Sequence, residues 1–250
     1  MITCPHCQRT DQQVKVGHNA SGSQRYLCRA CRRKYTPAPK THGYSEEIRR
    51  QALQMYVDGM GFRRIGRTLG VAHRTVINWV NAHAASLPDE PPVPEGELEV
   101  NEWDELFTFV AEQKNEVYIV TQVDRATRCI VGWAVLFERT DEALLQALLD
   151  RSPQARQYYS DAYTLYEALI YWPGQHQGVA NKSQTCSVEG DNAELRHYLA
   201  RLVRRSRCFS RCTHALRRAV KLFVFAWNRR QMHKRRFPAY PAHVRDFIYP

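Results

Sequence analysis

No apolar run in this 250-residue chain approaches the about 20 residues a membrane span requires; the longest lies near Leu222 to Trp227. The N-terminus lacks the charged, apolar and small-residue succession of a secretory leader, so a cytoplasmic protein with no membrane partner is expected. Acid is absent from Arg196 to Arg236, 41 residues that hold 14 Lys/Arg. Base is absent from Pro88 to Phe107, which holds 8 Asp/Glu. The stretch from Met1 to Leu87 is basic again, with 14 Lys/Arg against 4 Asp/Glu. A run of 41 residues without one acid cannot build an ordinary mixed-charge surface. Together with a formal charge of +11, it points to nucleic-acid phosphates as the partner.

Cysteine is sparse but grouped. Cys4-x2-Cys7 and Cys28-x2-Cys31 form two knuckles about 20 residues apart, a spacing that suits one tetrahedral zinc ion on four thiolates. A segment this short has too little apolar material to fold alone, so a structural zinc would supply much of its stability. A pair of disulfides is the alternative, disfavoured in a cytoplasmic setting. Residues 1–38 are read as this zinc ribbon, with His6 and His18 outside the ligand set. Arg25, Arg29, Arg32, Arg33 and Lys34 interleave with Tyr26 and Tyr35, a pattern that also suits contact with DNA. Cys129 and Cys186 read as buried or incidental, and Cys208-x3-Cys212 as two free thiols.

Residues 44–87 carry helical periodicity in three pieces. Ser45 stands as N-cap before Glu46 and Glu47, and Ile48, Ala52, Met55 and Tyr56 make an apolar stripe. A short helix follows near Phe62 to Leu69, then a Gly70-Val71 turn, then a helix near His73 to Ala84. This order is a helix-turn-helix, whose last helix offers His73, Arg74, Thr75 and Asn78 to a major groove. The alternative is a helical bundle that binds no DNA. Four prolines within residues 88–97 predict an extended linker and the main domain boundary.

Residues 98–250 predict an α/β domain with a mixed sheet and basic C-terminal helices. Strands are read at 98–107, 117–123 and 129–137, then a helix capped by Thr140, a strand at 156–160, a strand at 178–182, and helices at 188–203 and 213–233. On the first strand Leu98, Val100, Glu102 and Asp104 fall on one side, and Trp103 and Glu105 on the other. A carboxylate on a strand beside a core is costly unless paired, solvated or bound to metal. Asp161 at a strand end and Glu189 at a helix start are the candidate partners of Asp104. Three converging carboxylates repel and are best held by divalent cations. Two Mg²⁺ or Mn²⁺ ions about 4 Å apart would suit phosphodiester chemistry. Glu189, Asn192 and Arg196 share a helix face, so Arg196 is a candidate for holding DNA phosphate.

Over nearly its whole length the chain resembles the insertion-sequence-one family of bacterial transposases. The matching pieces are CPHC…CRACRRKY, GVAHRTVINWV, WDELFTFV, VDRATRCIVGW, FERT, SDAYTLYE and EGDNAELRHYLARLVRRSRCFSR. The resemblance implies a ribonuclease H-like domain with a DDE triad, and WDELF, SDAY and VEGDN carry it onto Asp104, Asp161 and Glu189. It also implies that Arg196 is the basic residue seven positions after the glutamate. The cysteine pairs and the helix-turn-helix then correspond to the part that reads terminal inverted repeats. Phe107 replaces the usual tryptophan, Gly190-Asp191 replaces a more basic pair, and the 28 positions from Asp161 to Glu189 are a long gap. Asp191 and Glu194 therefore remain alternatives for the third acid, and Asp124, in a turn, for the first. The implied function is metal-dependent 3′-end cleavage and strand transfer by an oligomer on double-stranded DNA. A non-catalytic DNA-binding repressor and a nuclease that cuts without joining are the alternatives.

Overall fold

The computed structural model describes residues 2–19, 22–38, 43–138, 140–179, 184–202 and 209–249. The chain divides into two compact units, Met1–Glu46 and Glu47–Pro250. In the first, strands β1 (Gln13–His18), β2 (Gln24–Cys28) and β3 (Lys34–Tyr35) form an antiparallel sheet in that order. Its buried hydrophobic cluster is only Cys4, Cys28 and Tyr35, with Ile2, Cys7, Tyr26 and Cys31 packed against it.

The second unit begins with α1 (Glu46–Val57), α2 (Phe62–Leu69) and α3 (His73–Ser86). The α2–α3 turn is made by Gly70, whose φ of +66° suits a residue without a Cβ. Gly66 lets the two helices cross closely, since a Cβ there would lie 2.6 Å from the Val71 carbonyl.

Next come β4 (Leu98–Phe109), β5 (Glu116–Asp124) and β6 (Ile130–Leu136), an antiparallel meander. The β5–β6 turn is held by Asp124, whose carboxylate accepts from the Thr127 amide at 2.9 Å and from its hydroxyl. Helix α4 (Glu142–Arg151) makes the crossover that a parallel neighbour requires, and β7 (Ala155–Asp161) pairs parallel with β4. Asp141, not Thr140, caps α4: its carboxylate accepts from the Leu144 amide at 3.0 Å, one turn into the helix. After α5 (Thr164–Ala168), β8 (Gln175–Val179) pairs parallel with β7. This strand starts earlier than the expected 178–182, of which 180–182 lie outside the described residues. The five-stranded sheet is mixed, in the order β6-β5-β4-β7-β8.

Helix α6 (Cys186–Tyr198) gives way to a 3₁₀ turn at Ala200–Leu202 instead of running on to Val203, which lies outside the described residues. Helix α7 (Thr213–Arg236) is longer than its expected end at 233, and a 3₁₀ turn follows at Val244–Phe247. One side of the sheet packs on α6 and α7 through Leu106, Ile119, Val188, Leu195 and Phe223. The other packs on α4 and α5 through Trp103, Val120, Leu145, Leu148 and Tyr166. Leu98, expected on the Asp104 side, joins the second cluster, where its strand partner Ala155 also lies.

The middle of α7, Leu222–Asn228, is buried on every side. A helix apolar all round has partners all round, and here the second partner is the helix-turn-helix. Ala52, Leu53, Ile65, Val76 and Val80 share one core with Phe223 and Trp227. Lys221 Nζ donates to the Leu87 carbonyl at 2.9 Å, and Arg218 bonds the Asn81 side chain. The proline-rich segment 88–97, expected as the main boundary, therefore lies inside the larger unit. Asn228 pins it, donating from Nδ2 to the carbonyls of Pro92 (2.8 Å) and Ile130 (2.9 Å).

His83 of α3 meets the C-terminal segment, its Nε2 2.9 Å from the Ile248 carbonyl and its ring against Tyr249. Burial lowers its pKa from 6.5; the Ile248 carbonyl opposes this and the Arg229 charge adds to it. Below pH about 6.5 the unfolded chain then binds a proton that the folded one resists, so this part of the stability is lost as pH falls. The urea midpoint should drop less between pH 7 and pH 5 in His83→Gln than in the parent. Equal drops would show that His83 does not contribute.

Candidate active site and metal centre

The two cysteine knuckles repeat one local geometry. In each, the residue after the second cysteine is left-handed: Gln8 at φ +61° and Arg32 at φ +58°. The first cysteine's amide donates across the loop, Cys4 to Arg9 at 2.9 Å and Cys28 to Arg33 at 3.0 Å. This curls both pairs so that all four Sγ atoms lie within 4.8 Å of one another. Cys4–Cys31 is 3.6 Å and Cys7–Cys28 is 3.5 Å. Four ligands at a Zn–S distance of about 2.3 Å on a tetrahedron stand about 3.8 Å apart, so the cluster fits zinc. All four cysteines are free thiols, with no disulfide among them. The Cys31 amide holds the Cys28 thiol down to about 6. The Arg9 amide pulls Cys7 down most strongly, but burial and the other three thiols together push it up to about 12. Four thiolates this close repel, and a dication relieves them all. His6 stands apart, with its Nδ1 3.3 Å from Arg33.

In the second unit the acids sit on three elements of the α6 side of the sheet. Asp104 lies mid-strand on central β4, partly buried. Parallel pairing sets Glu102 beside Tyr159. Asp104 and Asp161 each lie two residues beyond that last pair on their strands. Asp161 is exposed at the C-terminal end of β7, its carboxylate 3.3 Å from the Tyr163 amide. Glu189 occupies the first turn of α6, 3.5 Å from the Thr185 hydroxyl. Burial raises the pKa of Asp104; the Asn192 amide and the Glu105 backbone oppose this, and the charges of Glu189 and Asp161 add to it. Among the described residues the group placed to hold a metal ion is the four cysteines; Asp104, Asp161 and Glu189 form no such close group.

Helix α6 is tied to the sheet by contacts that the sequence pattern did not single out. Asn192 Nδ2 donates to Asp104 Oδ2 at 2.8 Å, and its Oδ1 accepts from the Thr121 hydroxyl at 3.0 Å. Thr121 is the cross-strand partner of Asp104, so one amide spans both strands. Glu102, wholly buried, accepts from the Ser187 and Val188 amides and from Arg125. The only sequence signal for Glu102 is that it shares the side of Asp104 by alternation. Asp191 is buried against Arg128 at 2.6 Å; burial raises its pKa to about 7, against the pull of Arg128. Asp124 is engaged in its turn, as described above. Glu194 is half-buried one turn beyond Asp191. Arg196 Nη1 donates to the Leu202 carbonyl at 3.1 Å, closing the end of α6. On α3, His73, Arg74 and Asn78 are exposed and Thr75 is half-buried. Cys129 is buried, whereas Cys186 and Cys212 are exposed; Cys208 lies outside the described residues.

Three family models match the chain in series: an InsA N-terminal domain over residues 1–32, a homeodomain-like domain over 44–89, and IS1 transposase over 98–227. The last covers more than half of the chain. The chain belongs to the IS1 transposase family. Its parts are a zinc ribbon, a DNA-binding helix-turn-helix and a ribonuclease H-like domain of the DDE type. Among solved structures, the Mos1 mariner paired-end complex with Mn is 14% identical, covers 79% of this chain and 78% of its own, and has a TM-score of 0.36. The Mos1 strand transfer complex is 11% identical over 79% of this chain and 78% of its own, at 0.32. A simian T-cell lymphotropic virus intasome in complex with a PP2A regulatory subunit is 12% identical over 59% of this chain, at 0.33. The transposase spans 58% of that intasome chain.

The zinc ribbon has almost no apolar core, so its fold depends on the ion. Chelation of the as-purified transposase should release about one zinc per chain and abolish the near-ultraviolet signal of the Tyr26–Tyr35 pair, whose rings lie 6.2 Å apart. The melting transition of the 47–250 unit should persist. Retention of the tyrosine signal after full zinc release would contradict this assignment.

Proposed function

We propose that the transposase binds the terminal inverted repeats of its own insertion sequence, cleaves at the 3′ ends and joins those ends to target DNA. The observation that carries this reading is the setting of Asp104. It is partly buried on the central strand and bears the charge of two further acids brought from β7 and α6. Like charges that raise one another's proton affinity on one side of a sheet suit divalent cations. Asp104, Asp161 and Glu189 would hold two Mg²⁺ or Mn²⁺ ions. When bound, these activate a water or a 3′-hydroxyl and stabilise the leaving oxygen of the phosphodiester.

The chain's own groups divide the remaining work. Asp104 is held in orientation by Asn192, and Glu189 is carried to it on α6. Arg196 stands on the same helix as a phosphate contact, once its bond to Leu202 is exchanged for DNA. Exposed His73, Arg74 and Asn78, with Thr75 beside them, would read base edges of the terminal repeat. In strand transfer the 3′-hydroxyl oxygen forms a bond to a target phosphorus, its proton leaves, and the target's own P–O3′ bond breaks. Both ends must be handled together, so the reading includes an oligomer on paired ends. Its place of action would be the nucleoid. No described helix is long and apolar enough to cross a membrane.

Mg²⁺ or Mn²⁺ and a labelled terminal repeat test this. The parent should cut and join, and Asp104→Ala should lose both by about 10³-fold or more while binding the end with unchanged affinity. Binding without chemistry in the parent would favour a repressor. Cutting without joining would favour a nuclease.

A further inference from the structure

The N-terminus of α6 receives its cap from another element. Its own N-cap residue, Thr185, makes no side-chain capping bond. The unpaired amides of the first turn are instead taken by Glu102 of β4: Oε2 accepts from Ser187 at 2.8 Å and Val188 at 3.0 Å. Oε1 accepts from Arg125 Nε at 2.5 Å. The rest of that guanidinium binds the residue ahead of the helix, with Nη1 2.9 Å from the Gln184 side chain and Nη2 2.6 Å from its carbonyl. It lies over the Tyr159 ring, 4.9 Å from the centroid. Strands β4 and β7 and the β5–β6 turn thus all meet the start of α6 through one buried carboxylate and its arginine.

This site stands beside the acids. Glu102 lies two residues before Asp104 on the same side of β4, and Val188, which it binds, is followed directly by Glu189. Glu102 is 0% exposed, so it cannot itself reach a metal ion or DNA. We propose that Glu102 is a positioning residue: with Arg125 it fixes the first turn of α6 against β4 and so sets where the Glu189 carboxylate stands relative to Asp104. The proposal rests on the metal-dependent reading of the three acids. Ordinary helix capping would stabilise the protein equally well from Thr185. A cap from the strand that bears Asp104 couples the two acids directly, as groups behind metal ligands do elsewhere.

The test uses the zinc-loaded full chain and Glu102→Gln, which keeps the size of the side chain. Gln retains one acceptor oxygen, but its NH₂ must face either the two helix amides or Arg125, all donors. Three quantities are read: terminal-repeat affinity, Mn²⁺ affinity from the resonance signal of free Mn²⁺ with Asp104→Asn as baseline, and cleavage rate against Mn²⁺ concentration. DNA affinity should stay within about twofold. Mn²⁺ affinity and cleavage at limiting Mn²⁺ should each fall about 10–100-fold, with the rate partly restored at high Mn²⁺. A folded, DNA-binding Glu102→Gln with parental Mn²⁺ affinity and metal profile would overturn the proposal. Should that variant not fold, Arg125→Lys, which keeps the charge and loses the fork to Gln184, should weaken Mn²⁺ binding in the same direction. Parental Mn²⁺ affinity there would overturn the proposal too. A parent chain that binds no Mn²⁺ above the Asp104→Asn baseline would overturn the acid-site reading and this one together.

Discussion

Helix α6 is fixed to the central strand by polar bonds in a buried setting, and the rest of the second unit depends on that junction. Asn192 spans Asp104 and Thr121, and Glu102 takes the amides at the helix start. Polar groups buried in this way hold a unique register, because a slip of one residue would leave several of them unpaired. Apolar contacts alone, Val188, Leu195 and Leu199 against the sheet, would tolerate small sliding. Helix and strand are thereby set to a precision suited to chemistry, and both carry an acid at that junction.

The two units are stabilised in different ways. The zinc ribbon spends its few buried residues around four sulfurs, and the ion replaces a core. The larger unit has a continuous core in which α7 is shared between the sheet and the helix-turn-helix. Helix α3 of the helix-turn-helix is consequently seated on the same body that presents the acids. Lys221, Arg218 and His83 supply polar contacts at that seam. Helix α3 and strand β4 thus stand on one packed scaffold.

Much of this was legible in the sequence, for physical reasons that differ by element. Alternation at 98–107 and the alternating or apolar runs at 117–123 and 129–137 mark strands, and the cysteine spacing marks a metal knuckle, because both patterns follow from local geometry. The edge strand β8, QHQGV, is poor in apolar residues and half exposed, so no apolar pattern marks its limits. The apolar spacing of Leu195, Leu199 and Leu202 continues past the helix into the 3₁₀ turn, which made α6 look longer. The prolines at 88–97 break helix as expected, but which surfaces flank a break is a tertiary fact, decided by α7 far along the chain. Likewise the side of β4 on which Glu102 lies follows from alternation, whereas its arginine and its helix amides lie 23 to 86 positions away. No local pattern distinguishes such a carboxylate from a solvated one.

The central claim is that acids from β4, β7 and α6 form one cation site. Anomalous scattering at the manganese edge, from crystals of the transposase grown with Mn²⁺, tests it most directly. The account predicts manganese density bounded by the carboxylates of Asp104, Asp161 and Glu189. Density absent from among those carboxylates, or held by Asp191 or Glu194 in place of Glu189, would contradict it.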